Sequence, residues 1–188
     1  PGIFGNVVLR GTGDAGASAA PVCFGVVCPR DLDGVLASFQ NVRRIDLSRQ
    51  ERWEASANSG TDVQLAASDD GLHAQITFGI NRAWTNITYA LRGEEIRGAT
   101  GLVVVARGQK PRGPVPRFWP KVRFAVWEEN GSRYGGAGIP ADGESHFVYM
   151  PFDRLSMSPF GAKDDNEVLD PENIVSFSVL TWHGVPDI

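Results

Sequence analysis

The sequence predicts an all-β fold, and three observations predict it. Short segments in which apolar and polar residues alternate recur along the chain, as expected of half-buried strands. Glycine and proline, both common in turns, number 22 and 12 among the 188 residues. No segment has the pattern of a long amphipathic helix, and about ten strands without helices indicate a sandwich or a barrel.

Composition and charge exclude several classes of protein. A chain of 188 residues with 42% hydrophobic and 21% charged residues can bury a core, so intrinsic disorder is not expected. The net charge of −4 argues against a nucleic-acid partner, which usually requires a basic face. The longest apolar run, Gly101–Ala106, is too short to span a membrane.

Residues 1–30 differ from the rest of the chain. Ile3–Leu9 and Val22–Cys28 are candidate strands, and the small, flexible residues Gly11–Ala20 separate them. We therefore expect residues 1–30 to form an N-terminal hairpin or linker extension, loosely joined to a module at residues 31–188.

The two cysteines, Cys23 and Cys28, lie in this extension. A disulfide that closes this short loop would suit an exported protein. The alternative is a pair of reduced, buried thiols, because geometry rather than sequence decides whether two cysteines can be bridged. The chain begins without a charged segment or a cleavage site, so we expect any signal peptide to have been removed or to lie upstream.

Between Asp31 and Ala106 the sequence predicts a regular succession of short strands. The clearest is Leu72–Phe78, which alternates strictly and follows an Asp-Asp-Gly turn. Arg92–Gly98 is polar and short enough to hold one helical turn. The predicted strands in this part are Gly34–Gln40, Arg52–Ala57, Thr61–Ala67, Leu72–Phe78, Trp84–Leu91 and Leu102–Ala106.

The segment Gly108–Pro120 contains four prolines, which exclude both a helix and a central strand. An exposed loop of this length is often functional, and this one carries Phe118 and Trp119. Asn130-Gly131 is a strong hairpin signal. The strands predicted after the loop are Lys121–Trp127, Phe147–Met150 and Val175–Val179, with an irregular acidic segment from Leu155 to Pro171.

Two stretches resemble the galactose-binding-domain-like β-sandwiches. The first is Lys121–Gly131, in which an apolar alternation leads to acidic residues and Asn-Gly. The second joins Phe147–Leu155 to Asp170–Val179, and is similar to a closing segment in which a strand ends in Ile-Pro-Phe before a loop and a final strand. The spacing from Trp84 to Ala106 also fits, so the resemblance covers residues 31–182.

The resemblance implies a jelly-roll β-sandwich of two antiparallel sheets. The group includes carbohydrate-binding modules appended to secreted glycoside hydrolases, and also the domain type of a respiratory complex I assembly factor. It implies a non-catalytic module of a larger secreted, extracellular, polysaccharide-active protein. The expected partners are a polysaccharide or oligosaccharide and an attached catalytic domain, and no cofactor is required.

One departure from the group keeps a second function open. Relatives often carry Trp where this chain has Ser145. The alternative is therefore a structural or protein-interaction β-sandwich without sugar binding.

Sugar binding requires flat aromatic surfaces and a few polar groups for the hydroxyls. If the apolar residue of each alternating pair faces the core, the other residue faces outward. We expect the outward residues to share one sheet face, with the Ser176 and Ser178 row adding hydrogen bonds and the proline-rich loop forming a wall. The candidate ligand-binding residues are Trp119, Trp127, Tyr149, Arg123, Gln75 and Phe118.

The remaining tryptophans and the titratable residues have simpler interpretations. Trp53 and Trp84 are assigned to the core, the usual position of Trp in a β-sandwich. The neighbouring carboxylates and the three histidines show no catalytic or metal-binding spacing, so no catalytic residue is predicted. The resemblance implies a structural calcium ion near the ends of the first and last strands. Its candidate ligands are Asp31, Asp33 and Asp187, for which turn and cap roles are the alternative.

Overall fold

The computed structural model of the chain describes residues 2–11, 42–68, 71–78, 83–108 and 121–183. Within these residues the fold consists of twelve strands, one turn of α-helix (α1, Gly93–Ile96) and three short 3₁₀ turns at Gln50–Arg52, Phe152–Arg154 and Pro171–Asn173. The strands are β1 (Gly2–Gly11), β2 (Val42–Arg44), β3 (Trp53–Ala57), β4 (Thr61–Ser68), β5 (Gly71–Phe78), β6 (Ala83–Ala90), β7 (Ala99–Gly108), β8 (Lys121–Glu128), β9 (Arg133–Pro140), β10 (Ser145–Pro151), β11 (Ser156–Met157) and β12 (Ile174–His183).

The strands form two six-stranded antiparallel sheets. Sheet A has the order β10-β7-β1-β5-β4, with β2 paired to β1, and sheet B has the order β11-β9-β8-β12-β6-β3. The predicted all-β sandwich of two antiparallel sheets is therefore confirmed. No helix among these residues is long and apolar enough to cross a membrane.

The core lies between the two sheets and contains the apolar rows that the alternation predicted. In sheet B, Val122, Phe124 and Val126 of β8 are buried, and Phe124 stacks on Phe177 of β12 at 5.9 Å between ring centroids. Burial of such rows is the main stabilising contribution in a sandwich of this kind. The rows that sheet A contributes are Leu72, Ala74 and Ile76, then Leu102, Val104 and Ala106, and finally Val148 and Met150.

Trp53 is also buried in this core, as predicted. Its ring lies 4.8 Å from that of Tyr89, and its Nε1–H donates a hydrogen bond of 2.9 Å to the Leu47 carbonyl. The indole is therefore packed and its one donor is satisfied, which is the usual condition for burying a tryptophan.

The turns also follow the sequence prediction. Asn130 and Gly131 join β8 to β9, and Gly131 adopts a φ of 85° that favours glycine. The Asn130 side chain accepts a 2.8 Å hydrogen bond from the Ser132 N–H. The helical turn expected within Arg92–Gly98 is α1, where Glu95 accepts a hydrogen bond from the Arg92 N–H.

Strand β1 differs from the loose extension expected for residues 1–30. It contains the predicted strand Ile3–Leu9, but it lies inside sheet A and pairs with β7 along its length, from Ile3 opposite Gly108 to Gly11 opposite Ala99. Its partner is about a hundred residues away in the chain, and local pattern does not reveal such pairing. The predicted boundary after residue 30 stays a prediction, because residues 12–41 lie outside the described residues, together with Cys23, Cys28, Asp31 and Asp33.

Candidate functional site

The outer face of sheet B, which points away from the core, has a floor of small and hydroxyl residues. In each strand of the sheet the neighbours of buried core residues point to this face. Ala125 of β8 lies between Gly135 of β9 and Ser178 of β12, and Thr88 of β6 follows across the sheet. Larger side chains border this floor at both ends of the strands.

Trp127 lies at one end of the outer face, as the alternation predicted. It is opposite Arg133 of β9 and Ser176 of β12. Its Nε1–H donates a 2.8 Å hydrogen bond to Ser178 Oγ, so the half-buried indole extends from β8 over β12. Ser178 has no exposed surface as a result of this close packing. The orientation of the indole is therefore set by the sheet, and its only donor is used internally.

The guanidinium of Arg133 stacks against this tryptophan and against a second aromatic ring, that of Phe160. Its Cζ atom lies 5.3 Å from the ring centroid of Trp127 and 5.3 Å from that of Phe160. The guanidinium also donates a hydrogen bond to Ser158 Oγ. Burial lowers the pKa of Arg133, because removal from water disfavours the charged form. Phe160 covers this stack and is 79% exposed.

The segment that carries Phe160, residues 158–173, is held against the β8–β9 turn. The Ser158 N–H donates to the Arg133 carbonyl at 2.7 Å, and the Ala162 N–H donates to the Gly131 carbonyl at 2.8 Å. Gly161 packs so closely that a Cβ atom there would lie 2.6 Å from the Arg133 backbone nitrogen. Phe160 is consequently positioned over Arg133 by backbone contacts on both sides of it.

Side chains beneath the turn hold the far part of segment 158–173. Tyr134 donates a hydrogen bond from its hydroxyl to Asp164, and Glu128 Oε1 accepts one of 2.6 Å from the Asp170 N–H. Burial raises the pKa of Glu128, and it also raises the pKa of Tyr134 above the usual value for a phenol. The segment is thus tied to the core through two buried polar groups.

Trp84 lies at the other end of the outer face, and its assignment to the core was wrong. Its side chain is 47% exposed. The inward positions of β6 belong to Thr85, Ile87 and Tyr89, which are buried. The apolar residues Ile87 and Tyr89 lie an odd number of positions from Trp84, so strand alternation already indicated that Trp84 points outward.

Val175 also differs from its predicted inward position, with 41% of its side chain exposed. The register of β12 shifts between Ile174 and Ser176, and Ile174 occupies the buried position instead. A bulge of this kind reverses the inside–outside alternation locally.

The structure brings together only part of the predicted site. Arg123 and Trp127 share the outer face of sheet B, and Arg123 is exposed there. Tyr149 and Gln75 belong to sheet A, on β10 and β5, so the expectation that these residues share one face with Trp127 was wrong. Alternation separates inward from outward residues but does not assign a strand to a sheet.

Tyr149 packs over its own sheet. A Cβ atom at Gly101 of β7 would lie 2.8 Å from the Tyr149 ring, so the glycine makes room for the half-buried tyrosine. Phe147, which points outward if its strand neighbours Val148 and Met150 face the core, is instead buried. Gln75 is exposed opposite Gln64 on the edge strand β4.

The other predicted site residues lie outside the described residues. These are the loop residues Phe118 and Trp119 and the calcium-ligand candidates Asp31, Asp33 and Asp187. Within the described ranges, no group of three or more His, Cys, Asp or Glu side chains is arranged to hold a metal ion.

Sequence reasoning missed Phe160 and misassigned Trp84, which are exposed aromatic side chains at this face among the residues that the structure describes. Phe160 lies in an irregular segment without periodicity, so no pattern indicated its direction. Its neighbour Arg133 follows the Asn-Gly hairpin directly, and only the folded segment brings the two together.

Comparison with known proteins gives two structural likenesses. No family model matches the chain, and no curated protein matches it. It is similar to a family 11 carbohydrate-binding module from Clostridium thermocellum in complex with a β-1,3-1,4-mixed-linked tetrasaccharide, at 16% identity and a TM-score of 0.46, covering 77% of this chain and 95% of that chain. It is also similar to the family 11 carbohydrate-binding module of the cellulosomal cellulase Lic26A-Cel5E of Clostridium thermocellum, at 16% identity and a TM-score of 0.42, covering 71% of this chain and 88% of that chain.

Proposed function

We propose that the chain is a non-catalytic carbohydrate-binding module whose binding surface is the outer face of sheet B. One observation carries the proposal: two exposed aromatic rings, Trp84 and Phe160, border opposite ends of a face with small and hydroxyl residues between them. Aromatic rings exposed to water are unfavourable and often mark a binding site, and they stack well on the C–H faces of sugars.

The dimensions suit an extended glycan. From Trp127 the register leads to Ser176 and Ala90, and Trp84 is six residues further along β6. At about 3.3 Å per residue and 4.8 Å between strands, the two tryptophans are about 20 Å apart along the strands and 10 Å across them. A chain of several sugar rings can lie across this surface, with its C–H faces on aromatic rings.

The middle of the face supplies hydroxyl and amide groups for hydrogen bonds to sugar hydroxyls. Thr88, Asn86 and Ser176 point outward and are partly exposed, and Arg123 adds guanidinium donors at the Trp84 end. Because Gly135 and Ala125 are small, they do not project from the middle of the floor, and a flat ligand can reach these groups. Such a platform binds and orients a glycan without performing chemistry on it.

In its biological setting the module would belong to a larger secreted protein that acts on polysaccharides. Holding the glycan near an attached catalytic domain raises the effective concentration of substrate at that domain. A structural calcium ion at Asp31, Asp33 and Asp187 stays a prediction of the sequence.

The direct test is isothermal titration or affinity electrophoresis of the folded chain against a broad panel of polysaccharides. Trp84→Ala and Phe160→Ala should each weaken binding by about tenfold or more, because each removes one stacking surface. Gln75→Ala is the matched control, since Gln75 is an exposed residue on the opposite sheet, and it should bind as the wild type does. A folded protein that binds no glycan of the panel would refute the proposal.

Trp127 serves this surface mainly by supporting Arg133 and Ser178. Trp127→Phe keeps an aromatic ring but removes the donor to Ser178 and the pyrrole part of the indole. We expect the lost hydrogen bond to lower the unfolding free energy by about 1 kcal/mol and the smaller ring to add to that loss, with glycan affinity reduced less than in Trp84→Ala. An affinity loss as large as that of Trp84→Ala would make Trp127 a direct contact instead.

A protein-interaction role is the second candidate, and segment 158–173 favours it. Phe160 is 79% exposed and Val168 is 60% exposed, so two apolar side chains of one segment face water. This role predicts self-association or capture of a partner that Phe160→Asp abolishes. Light scattering after size exclusion separates the candidates, because a monomer that binds glycan fits only the first.

A further inference from the structure

Arg133 is a half-buried cation with no carboxylate partner among the described residues. The guanidinium carries five N–H donors, of which one donates to Ser158 Oγ. Its remaining described contacts are the rings of Trp127 and Phe160. Burying a charge without an opposite charge is costly, and cation–π contact offsets that cost only partly.

A second arginine in the same fold shows the arrangement that Arg133 lacks. Arg52 also lies over an aromatic ring, with its Cζ atom 4.4 Å from the centroid of Tyr89. There, however, both terminal nitrogens contact the Glu95 carboxylate, one of them at 2.7 Å. Stacking combined with a bidentate carboxylate is thus how this protein neutralises a partly buried guanidinium. At Arg133 the stack is present and the carboxylate is not supplied by the described residues.

Among the described residues, no carboxylate of the surrounding elements takes that place. Glu128 and Asp164 are occupied beneath the turn with the Asp170 N–H and the Tyr134 hydroxyl. Glu54, which points to the outer face from β3, lies four strands from β9, about 19 Å away. The guanidinium therefore faces the proposed binding surface as a positive group, fixed in position by two rings and a serine.

We propose that the glycan bound at this face is acidic, and that Arg133 binds the carboxylate of a uronic acid residue. This inference rests on the proposed function and adds the chemical class of the ligand. The planar guanidinium matches a carboxylate with two parallel N–H···O bonds. Phe160 lies on the exposed side of the stack, where the ring that carries the carboxylate can pack against it.

The experiment compares a polyuronide with its own uncharged form. Titration of the wild-type chain uses polygalacturonate, alginate and a glucuronate-containing polymer, each beside its carboxyl-reduced counterpart. We expect at least one polyuronide to bind ten times more tightly than its reduced form, with an affinity that falls as salt is raised.

Variants assign this selectivity to Arg133. Arg133→Met should lose the tenfold preference, and Arg133→Lys should lose most of it, because an ammonium cannot make the paired hydrogen bonds. Arg154→Met is the matched control, since Arg154 is exposed and its only described ion pair is with the exposed Asp153. It should keep the preference within twofold.

The outcomes separate this inference from the function on which it rests. Binding of neutral and acidic forms with equal affinity, or an unchanged preference in Arg133→Met, overturns the acidic ligand and leaves a neutral-glycan module. Absence of binding to every polymer refutes both. If the Arg133 variants do not fold, the comparison of charged and reduced polymers on the wild-type chain decides the question.

Discussion

Replacing Gly161 with alanine tests whether segment 158–173 is held as tightly as its contacts indicate. A Cβ atom there would lie 2.6 Å from the Arg133 nitrogen, 2.9 Å from the Arg133 Cβ and 3.1 Å from the Gly131 carbonyl oxygen. Ordinary contacts between heavy atoms are about 3.5 Å or longer, so the segment has to move by about 1 Å. The Arg133 nitrogen cannot move instead, because it belongs to β9, which is paired with β8.

A displacement of this size breaks the two backbone hydrogen bonds that dock the segment. They are Ser158 N–H to the Arg133 carbonyl at 2.7 Å and Ala162 N–H to the Gly131 carbonyl at 2.8 Å. Lengthening each by about 1 Å takes it beyond hydrogen-bonding distance. At about 1 kcal/mol for each bond and 1–2 kcal/mol for overpacking, Gly161→Ala should lower the unfolding free energy by about 3 kcal/mol.

Chemical denaturation measures this loss, and Gly136→Ala is its control. Gly136 belongs to β9, a Cβ atom at this position would meet no heavy atom within 4 Å, and its φ is not positive. Its replacement should change the unfolding free energy by less than about 1 kcal/mol. Glycan affinity should fall in Gly161→Ala alone, because Phe160 moves with the segment. Equal stability of the two variants would refute the tight docking of segment 158–173.

Three further substitutions test charge and packing. Burial alone would raise the pKa of Glu95, but hydrogen bonds from Arg52 and from the Arg92 backbone outweigh it, and the pKa is lowered. The stability that ionised Glu95 contributes is therefore present at neutral pH and is lost as pH falls through the folded-state pKa. Glu95→Gln should therefore be less stable than the wild type at pH 7 by about 2 kcal/mol, with a smaller difference at pH 3. Burial raises the pKa of Glu128, so the wild type loses stability as pH rises through the folded-state pKa. The denaturation midpoint of Glu128→Gln, measured relative to that of the wild type, should therefore be higher at pH 8 than at pH 4.5. Ile87→Ala, at a position with no exposed surface, should cost about 2–5 kcal/mol in urea unfolding.

Much of the fold could be predicted because strand alternation is a local property. Val122, Phe124 and Val126 are buried as expected, since each strand turns successive side chains to opposite faces whatever its neighbours are. The Asn130–Gly131 turn could be predicted for the same reason, because its backbone conformation depends on two residues.

The candidate site could be predicted only in part, because it depends on contacts between distant segments. Trp127 was expected on an outward face, but its hydrogen bond to Ser178 joins residues 51 apart in the chain. Phe160 has no periodic neighbours, and only its docking onto Arg133 makes it part of the surface. Trp84 was misassigned because Trp is usually buried in sandwiches, although the alternation of β6, with Ile87 and Tyr89 inward, indicated an outward position.

By itself the sequence determined that the chain is built from strands, and which side chains of most strands point inward. Only the tertiary structure decided which sheet each strand joins. Trp127 and Tyr149 both point away from the core, yet they belong to different sheets of the sandwich. The physical reason is that alternation follows from the geometry of one strand, whereas sheet membership follows from hydrogen bonds between strands that are far apart in the sequence.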